Sequence, residues 1–452
     1  MIPLSLQTLA EVLDGELRGD AVTISAVSTD SRALPAGALF VALKGDRFDG
    51  HDFCATAVAG GACALLVSDW QQEAVPQLKV ADTRRALGLL GAYVRQQLQP
   101  QTLAITGSCG KTTVKEMCAA ILGQRGEVLA TRGNLNNDIG VPLTLLRLEP
   151  QHQYAVLELG ANHLGEIAWT TALVRPQVAL INNVAAAHLE GFGSLDGVCT
   201  AKSEIFQGLP ADGIAIVNAD SEFFPRWQRE LGSQLRSFAL DNATADYRAE
   251  AIKANAQGGH DFRMLTPQGA VEISLSVPGR HNVGNALAAA ALTLNLGVTL
   301  DEVRSGLALM APVKGRLCVQ SLPGLTLIDD TYNASVASVL AAIDTLAAMP
   351  GHRVLVFGDM GELGEAAAEQ HRLVGAHARQ AGLQAVYTVG HWAALTAEAA
   401  GGQHFADKAS LLAALPALLN AHQDLVLLAK GARSSKMEDI IEFARSFKEQ
   451  AC

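Results

Sequence analysis

A glycine-bearing turn between a strand and a helix constrains this chain more than any other stretch of it. The apolar run Thr102–Ile105 leads into Thr106–Thr113, which reads T-G-S-C-G-K-T-T, and a helical pattern follows from Val114 to Leu122. Strand, glycine-bearing turn and helix in this order are the setting of a phosphate-binding loop. The glycines let backbone N–H groups converge on an anion, and the helix adds its unpaired N-terminal donors. The sequence therefore predicts a nucleotide site.

This loop departs from the common pattern in its length. In G-x-x-x-x-G-K-[ST] the first glycine would fall at Ile105, whereas Gly107 and Gly110 here enclose only two residues. Lys111 is expected to reach the terminal phosphates and the Thr112 hydroxyl to help hold Mg²⁺, whereas the side chain of the loop cysteine is not needed. The candidate nucleotide-binding residues of the loop are Gly107, Ser108, Cys109, Gly110, Lys111, Thr112 and Thr113.

The composition narrows the class of partner. The chain has 452 residues, enough for several domains, and a net charge of −11 without any block of Lys and Arg. This balance argues against nucleic acid or an anionic membrane as the main partner. The seven cysteines form no C-x-x-C pair, which favours reduced thiols in a cytoplasmic protein. Met1–Leu4 lacks the features of a signal peptide, and we expect a monomer.

One uncharged span, Asn282–Leu300, is long enough to raise the question of a membrane helix. It consists mostly of alanine and is interrupted by Asn285, Asn295 and Gly297. We therefore predict a buried helix followed by a short turn, and no stable membrane insertion.

Residues 1–80 show short strand patterns with few helices. Two polar turns, Ser28–Arg32 and Lys44–His51, follow predicted strands, and loops at strand ends commonly carry binding groups. Solvated turns without a function would look the same, so composition leaves both interpretations open. The elements predicted here are strands at Val22–Val27, Ala38–Leu43 and Ala64–Val67 and a helix at His51–Gly60.

Strands and helices alternate regularly from residue 82 to 310, and again from residue 312 onward. This rhythm predicts parallel, doubly wound sheets that bind ligands at the carboxyl ends of their strands. Tyr247–Val277 breaks the rhythm and is predicted to be a small antiparallel insertion. The predicted strands are Leu103–Ile105, Ala155–Leu159, Val178–Ile181, Ile214–Val217, Leu325–Ile328, Val354–Phe357, Ala385–Val389 and Leu425–Leu428.

Three side chains near strand ends and on a helix could serve a metal site. Glu158 ends a predicted strand, and a carboxylate at that position of a phosphate-loop protein supports Mg²⁺. His188 follows the next strand, although a single histidine is more often structural than a ligand. Lys202 lies on a predicted helix, where a surface lysine is the default interpretation. The residues alone do not decide among these alternatives.

Two further groups of polar residues are candidates for nucleotide contacts. Asn282 and Asn285 lie three apart on a predicted helix, so they share a face. Paired amides can recognise the edge of a base, and polar residues at a helix start are the alternative. Arg316 and the pair Asp329–Asp330 open the last unit, where carboxylates beside a cleft are usually solvated.

Taken together, these motifs match one family from end to end. The chain resembles the Mur ligases of bacterial cell-wall synthesis, and the short phosphate loop is that family's own form. The matching segments and residues, in chain order, are Thr106–Thr113, Gly133–Gly140, Glu158, His188–Glu190, Lys202, His281–Asn282, Asn285, Gly315–Arg316 and Asp330.

The resemblance implies an α/β protein of three domains. Residues 1–82 would form a small N-terminal α/β domain for the UDP-sugar, and residues 83–311 a central doubly wound parallel-sheet P-loop ATPase domain. Residues 312–452 would form a Rossmann-like C-terminal domain that closes over ATP about a hinge near Ala311–Val313.

The resemblance also implies roles for single residues. Lys111 and the loop amides would hold the β- and γ-phosphates of ATP. Thr112 and Glu158 would hold one Mg²⁺, while His188 and Lys202, the latter as a carbamate, would hold a second. The residues implied in other contacts are Asn282 and Asn285 at the adenine, Arg316 and Asp330 at the nucleotide, Ser31, Arg32, Lys44, Gly45 and Asp49 at the UDP group, Asn134 and Asn137 at the acceptor, and Asn333, Lys430 and Arg433 at the incoming dipeptide.

The implied reaction joins D-alanyl-D-alanine to UDP-N-acetylmuramoyl-tripeptide through an acyl phosphate. Within the family, Thr29–Arg32, Phe40–Gly45 and Asp330–Ala334 resemble the turns of the dipeptide-adding member. The D-N-P-R turn of the member that adds a diamino acid is not found.

Two other classes compete with this interpretation. A P-loop regulatory switch of the GTP-binding type would require an N-K-x-D guanine motif, and the sequence has none. A ligase similar to folylpolyglutamate synthase would share the phosphate loop but lack the nucleotide-sugar turn at Thr29–Arg32.

Overall fold

The computed structural model describes residues 1–45, 48–185, 189–255, 258–310 and 313–450. Four sequence predictions therefore fall wholly or partly outside the described residues: His188, the hinge at Ala311–Pro312, Asp46–Arg47 in the second polar turn, and residues 256–257 of the predicted antiparallel stretch. Among the described helices, none combines the length and the apolar character needed to span a bilayer.

The N-terminal region is built on a mixed sheet in the order β2-β7-β6-β5-β4, in which only the β2–β7 pairing is antiparallel. A separate antiparallel ribbon joins β1 to β3. The elements are β1 (Leu4–Ser5), α1 (Leu6–Val12), β2 (Glu16–Arg18), β3 (Thr23–Ile24), β4 (Ala26–Ser28), β5 (Ala38–Val41), a 3₁₀ helix (Gly50–Phe53), α2 (Cys54–Ala59), β6 (Ala64–Val67) and β7 (Gln77–Lys79).

Two predictions for this region are corrected. The predicted strand Val22–Val27 is two strands, β3 and β4, which pair with β1 and β5 respectively and so belong to different sheets. A polar residue, Ser25, separates them, and the apolar run alone does not reveal that its two halves have different partners. The predicted helix His51–Gly60 begins as a 3₁₀ turn and becomes α-helical only at Cys54.

The central region is a sheet in the order β16-β15-β14-β13-β12-β11-β8-β10-β9. Strands β8 to β14 run parallel, and β14–β15–β16 is an antiparallel meander. The strands are β8 (Gln101–Thr106), β9 (Glu127–Ala130), β10 (His152–Glu158), β11 (Val178–Ile181), β12 (Ile214–Asn218), β13 (Leu235–Ala239), β14 (Tyr247–Ala254), β15 (His260–Thr266) and β16 (Gly269–Leu275).

Helices cover both faces of this sheet. They are α3 (Thr83–Leu98), α4 (Lys111–Leu122), α5 (Gly140–Leu145), α6 (Glu166–Val174), α7 (Leu189–Phe192), α8 (Leu195–Ser203), α9 (Phe224–Leu231), α10 (Arg280–Leu294) and α11 (Leu300–Ala308). Along β8, Leu103 and Ile105 pack in one apolar cluster with α4 and α10, while Ala104 packs in another with α3, α5 and α6. A strand buried on both faces reads as a continuous apolar run, which is the pattern seen in the sequence.

Two sequence predictions for the central region have clear outcomes. The uncharged span forms the buried helix α10, then a short turn, then α11, as predicted. The stretch Tyr247–Val277 contains antiparallel strands, as predicted. These strands continue the central sheet from β13, however, and do not form a separate insertion.

The C-terminal region repeats the α/β plan with a sheet in the order β17-β18-β22-β19-β20-β21, antiparallel only at β17–β18. Its apolar residues again form a cluster on each face. The elements are β17 (Cys318–Leu322), β18 (Leu325–Asp330), α12 (Val336–Ala347), β19 (His352–Phe357), α13 (Ala367–Gln380), β20 (Ala385–Val389), α14 (Ala393–Ala400), β21 (Gln403–Phe405), α15 (Lys408–Ala421), β22 (Leu425–Lys430) and α16 (Glu438–Gln450).

The doubly wound α/β class is confirmed by this topology. Strand β8 lies inside the central sheet, between β10 and β11. Later strands are therefore added on both sides of β8, and the loop that follows β8 lies at this switch in strand order. That is the position at which open α/β sheets bind ligands. The boundaries at residues 82 and 311 stay predictions.

Candidate nucleotide-binding site

The phosphate loop lies directly between β8 and α4. Gly110 is the N-cap of α4 with φ of 77°, in the left-handed region. A Cβ on Gly110 would lie 2.5 Å from Nδ2 of Asn182 and 2.6 Å from Oδ1 of Asn285, so both the backbone angle and the space require glycine. The helix starts at Lys111, three residues before the sequence pattern indicates, and presents its N-terminus to the loop.

Lys111 is held against its own loop. Its Nζ donates to the carbonyl of Gly107 at 2.7 Å. Burial lowers the pKa of Lys111, and the charge of Glu158 opposes this shift. A phosphate group entering the loop would offer the ammonium a charged acceptor in place of a neutral carbonyl, which makes the stronger hydrogen bond.

Glu158 ends β10, the strand beside β8, and is only 3% exposed. Its Oε2 accepts from the Thr112 hydroxyl at 2.9 Å, and its Oε1 accepts from Nδ2 of Asn136 at 2.9 Å. Its backbone N–H donates to Oγ1 of Thr131 at 3.0 Å. Both the carboxylate and the main chain of Glu158 are therefore fixed by residues from other segments.

The residues around Glu158 suit a hard cation. A hydroxyl and a carboxylate meet beside the phosphate loop, and Mg²⁺ prefers oxygen ligands of this kind, completed by substrate phosphates and water. Within the described part of the chain, no three His, Cys, Asp or Glu side chains cluster as a metal site would need. The protein atoms described here thus fit a metal that is shared with a nucleotide, and do not form an all-protein cage.

Lys202 is buried, and the default expectation of a surface lysine is wrong. It lies near the end of α8 and is 3% exposed. Burial, and then the positive charge of Lys111, lower the pKa of Lys202 from 10.5 to about 7. The neighbouring Glu204 holds this segment in place, because its carboxylate accepts from the N–H groups of Gly165 and Ala168 at 2.7 and 3.0 Å at the start of α6.

Asn282 and Asn285 share a face of α10, as the spacing predicts, and both are buried. Asn285 Nδ2 donates to Oδ1 of Asn282 at 2.7 Å, and Asn282 Nδ2 donates to the carbonyl of Pro278 at 2.7 Å. Oδ1 of Asn285 also accepts from Asn182 at 3.0 Å. Each amide therefore already has protein partners, and a contact with adenine stays a prediction.

The C-terminal sheet brings three of the predicted residues together. Lys430, at the end of β22, contacts Oδ2 of Asp330 at 2.6 Å and donates to the carbonyl of Asn333 at 2.9 Å. Both members of this ion pair are buried, and burial raises the pKa of Asp330 against the opposing effect of Lys430. The general expectation of solvated carboxylates here is wrong. Arg433 stands apart, exposed and paired with Glu438 at 3.0 Å.

Arg316 lies against an aromatic ring beside this cluster. Its guanidinium carbon is 4.4 Å from the ring centroid of Tyr332, at cation–π distance. The next residue, Leu317, has φ of 48°, and its N–H donates to Oδ1 of Asp330 at 3.2 Å. A non-glycine residue in the left-handed region costs energy, and such strain is concentrated at functional sites.

The N-terminal turns are exposed and paired locally. Arg32 makes a bidentate pair with Asp30, from Nε to Oδ1 and from a terminal nitrogen to Oδ2, both at 2.8 Å. This pair lowers the pKa of Asp30 to about 2. In the second turn Asp49 accepts from His51 N–H at 3.0 Å, and Lys44 is 3.8 Å away. The other predicted residues of these turns and of the loop after β9 are half-buried or exposed: Ser31, Gly45, Asn134 and Asn137.

Several residues that support this site were missed by the sequence analysis. Thr131 and Asn136 fix Glu158, and Asn182 and Asn183 contact the phosphate loop. Lys115, one helical turn after Lys111, is buried and donates to the carbonyl of Thr131 at 2.6 Å. The available signal was that two asparagines follow β11 directly, at the same sheet edge as the loop.

The fold and the loop define a P-loop nucleotide-binding protein of the α/β class. Three family descriptions match the chain: "Mur ligase family, catalytic domain" at residues 23–95, "Mur ligase middle domain" at 105–293, and "Mur ligase, glutamate ligase domain" at 315–433. The UDP-N-acetylmuramoyl-tripeptide–D-alanyl-D-alanine ligase of Escherichia coli K12 is 53% identical over 444 residues, 98% of each chain. The ligase of the same name from Haemophilus influenzae is 48% identical, again over 98% of each chain. This chain belongs to the Mur ligase family.

Solved structures agree with that assignment. A crystal structure of MurF from Acinetobacter baumannii superposes with a TM-score of 0.94 at 40% identity, over 98% of this chain and 99% of that one. MurF ligase from Thermotoga maritima, in complex with ADP, gives a TM-score of 0.85 at 27% identity, over 94% and 98%. A folylpolyglutamate synthase from Mycobacterium tuberculosis, at 16% identity, shares the fold alone.

Proposed function

We propose that this chain is an ATP-dependent ligase that adds D-alanyl-D-alanine to UDP-N-acetylmuramoyl-tripeptide in peptidoglycan synthesis. The observation that carries the proposal is the identity of 53% to the Escherichia coli ligase of that name over 98% of both chains. The products would be UDP-N-acetylmuramoyl-pentapeptide, ADP and phosphate. A P-loop switch is disfavoured, because the similarity extends through the flanking domains and not only the loop.

The reaction would proceed in two steps. The terminal carboxylate of the tripeptide attacks the γ-phosphorus of ATP, the bond to the β–γ bridging oxygen breaks, and an acyl phosphate and ADP form. The amine of D-alanyl-D-alanine then attacks the acyl carbon, loses a proton, and phosphate leaves. Because water would hydrolyse the acyl phosphate, the C-terminal domain is proposed to close before the first step.

The proposed nucleotide contacts begin at the phosphate loop. The backbone N–H groups at the start of α4 and the ammonium of Lys111 would bind the β- and γ-phosphates. Arg316 belongs to the C-terminal domain, and its positive charge adds to the lowering of the pKa of Lys111. We therefore assign it to the same phosphates. Asn282, Asn285 and Asp330 are assigned to the rest of the nucleotide.

The metal ions and the carbamate are proposals of the same kind. Thr112 and Glu158 would hold one Mg²⁺, and His188 with Lys202 a second. When bound, the ions would neutralise phosphate charge during attack by the anionic carboxylate. A lysine adds CO₂ only as the neutral amine, and a pKa of about 7 leaves a large neutral fraction at physiological pH. In that addition the Nζ lone pair attacks carbon, a proton leaves nitrogen, and a carboxylate-like oxygen ligand results.

The remaining substrate contacts follow the position of each domain. The exposed turns of the N-terminal domain would bind the UDP group, the loop after β9 the muramoyl peptide, and the end of the C-terminal sheet the dipeptide. The residues proposed for these contacts are Ser31, Arg32, Lys44, Gly45 and Asp49, then Asn134 and Asn137, then Asn333, Lys430 and Arg433. The domain limits proposed are residues 1–82, 83–311 and 312–452.

We place the enzyme in the cytoplasm, where ATP and UDP-linked precursors are found, and expect a monomer. In support, the six cysteines that the structure describes are free thiols. Cell fractionation and light scattering of the purified protein would test these two expectations.

The deciding experiment measures phosphate release with UDP-N-acetylmuramoyl-tripeptide, ATP and a panel of amines. We expect turnover with D-alanyl-D-alanine and at least 100-fold less with L-alanine, a free diamino acid or no amine, because binding energy is needed to position the amine. If a single amino acid served as well as the dipeptide, the proposed substrate would be wrong. ATP hydrolysis at full rate without any acceptor would contradict the ligase itself.

A further inference from the structure

Backbone groups in the first half of the phosphate loop are already hydrogen-bonded to Asn183. The N–H of Cys109 donates to Oδ1 of Asn183 at 2.8 Å, and Nδ2 of Asn183 donates back to the carbonyl of Cys109 at 3.0 Å. The N–H of Ser108 donates to the main-chain carbonyl of Asn183 at 3.1 Å. Asn183, two positions after the end of β11, thus makes three hydrogen bonds to two consecutive loop residues.

A second asparagine reinforces the same carbonyl. Nδ2 of Asn182, a side chain 3% exposed, donates to the carbonyl of Cys109 and to Oδ1 of Asn285, each at 3.0 Å. Asn285 then bonds to Asn282, which bonds to Pro278 in the turn before α10. The loop is therefore connected through buried amides to the start of a helix more than a hundred residues away in sequence.

The orientation of these amides is dictated by the main chain. A backbone N–H can only donate and a carbonyl can only accept, so Asn183 must present oxygen to one and nitrogen to the other. An aspartate would lack the donor, and a leucine would lack both groups. The close approach of Asn182 and Asn285 to Gly110 also leaves no space for a side chain there.

The consequence concerns the second half of the loop. With the peptide of Cys109 fixed, the N–H groups of Gly110, Lys111, Thr112 and Thr113 have no acceptor among the described residues, and Val114 makes the first helical bond, to Gly110. These are the donors that a helix N-terminus offers to an anion. The N–H of Cys109, in contrast, is already used and is not available to a phosphate without loss of its bond to Asn183.

We propose that Asn183, supported by Asn182, is a positioning residue that sets the phosphate loop before nucleotide binds, so that the four amides from Gly110 to Thr113 face the phosphates. Neither residue touches the reacting atoms. The inference deepens the proposed ATP-dependent function, because it concerns how the loop recognises a nucleoside di- or triphosphate. A preformed loop loses less conformational entropy on binding than a mobile one.

The test is a graded set of alanine variants of the full-length protein, with ADP as the probe. We expect Asn183→Ala to weaken ADP binding about tenfold to 100-fold and Asn182→Ala less, about threefold to tenfold, since Asn183 still holds Cys109. Asn218→Ala is the matched control. Asn218 ends β12, the neighbouring strand, and its Oδ1 accepts from Asp220 N–H at 2.8 Å, a residue outside the loop. It should bind ADP as the parent does.

Two further measurements separate positioning from general damage. In steady-state assays the KM for ATP should rise in Asn183→Ala, whereas the KM for D-alanyl-D-alanine should not change. Hydrogen exchange of the Cys109 amide should quicken in the absence of nucleotide, while exchange across β12 stays as in the parent. If Asn183→Ala does not fold, Asn182→Ala carries the same comparison.

The outcomes that overturn the inference are distinct from failure of the proposed function. Unchanged ADP affinity in both loop variants, or an equal loss in Asn218→Ala, would refute positioning while nucleotide binding by the parent stood. If the parent protein bound neither ADP nor ATP, the proposed function would fail first, and the loop would have another ligand.

Discussion

The phosphate-loop end of the central sheet and the polar turns of the N-terminal domain place charged side chains in opposite environments. Around the loop, Lys115, Glu158 and Lys202 are buried, and the first two are bonded to residues from distant segments. In the N-terminal turn, the side chain of Arg32 is 85% exposed and pairs with Asp30, two residues away. Both regions are proposed to bind phosphate groups, yet only around the phosphate loop are the charged side chains buried in the protein.

The contrast is sharpest in two pKa values that both fall. The pKa of Lys202 falls to about 7 because burial penalises its charged form, so the amine tends to be neutral. The pKa of Asp30 falls to about 2 because hydrogen bonds to Arg32 favour its charged form. Desolvation produces a reactive neutral group, whereas local pairing produces a permanent charge. The pKa is lowered in both residues, but the result is a neutral amine at Lys202 and a charged carboxylate at Asp30.

The largest effect should come from Lys202. We expect Lys202→Met to reduce ligase activity about 100- to 1,000-fold, as loss of a group at a charged transition state does. In CO₂-free buffer at neutral pH the same variant should be more stable, by about 1–4 kcal/mol, because it removes a buried ammonium that has no ion-pair partner among the described residues. Denaturant unfolding and phosphate release measure the two effects, and the exposed Lys253→Met serves as control for both.

The pH dependence of that stability gain has a definite sign. Below about pH 7 the folded chain keeps the proton on Lys202 at full cost, so the advantage of Lys202→Met is largest there. Between pH 7 and the ordinary lysine pKa of 10.5, the folded chain has lost a proton that the unfolded chain still binds, so the parent gains stability as pH rises. An advantage that grew with pH would contradict the assigned burial.

Glu158 should come next. Glu158→Gln keeps the shape of the side chain but replaces one acceptor oxygen with a donor, which then faces either the Thr112 hydroxyl or the Asn136 amide. We expect activity to fall about 100-fold and the Mg²⁺ concentration for half-maximal activity to rise. Equilibrium binding of Mn²⁺ in the presence of ADP checks the metal directly. Retained Mn²⁺ affinity would argue against Glu158 as a ligand.

A smaller effect is expected at Lys115, which contacts Glu158 only through Thr131. Lys115→Met removes the donor to the Thr131 carbonyl, and Thr131 in turn holds the N–H of Glu158. Activity should fall roughly tenfold and the free energy of unfolding by about 1–3 kcal/mol, because a buried carbonyl loses its partner. Lys115→Arg should recover part of both. Glu116→Gln, which alters only the half-exposed partner of Lys115, should leave activity nearly unchanged.

The smallest effect should be in the N-terminal turn. Arg32→Lys loses the planar fork that can grip a phosphate, so we expect the KM for the UDP-linked acceptor to rise roughly three- to tenfold at unchanged kcat. Thermal stability should not change, since the pair with Asp30 is open to solvent. Asp30→Asn is the matched variant, because it removes the partner and keeps the guanidinium. A fall in thermal stability for either variant would remove the contrast with the central site.

Much of the architecture could be predicted because its signals are local in sequence. The strand, glycine turn and helix of the phosphate loop occupy consecutive residues, and so do the alternating apolar runs that become β8, β10, β11 and β12. The spacing of Asn282 and Asn285 fixed their common face, since helical geometry depends only on position along the chain. The order and spacing of dispersed motifs were also sufficient to indicate the family.

Other features were decided by the tertiary structure, because they depend on which segments meet. Whether Lys202 is exposed or buried depends on α6 and α8 packing together, and no residue near it in sequence reveals this. The run Val22–Val27 divides between two sheets because its halves find different partners. The bonds from Asn182 and Asn183 to Cys109 cross more than seventy residues of sequence. Burial and hydrogen-bond partners are properties of the packed chain. The pKa shifts at this site therefore depend on the tertiary structure and could not be predicted from the sequence.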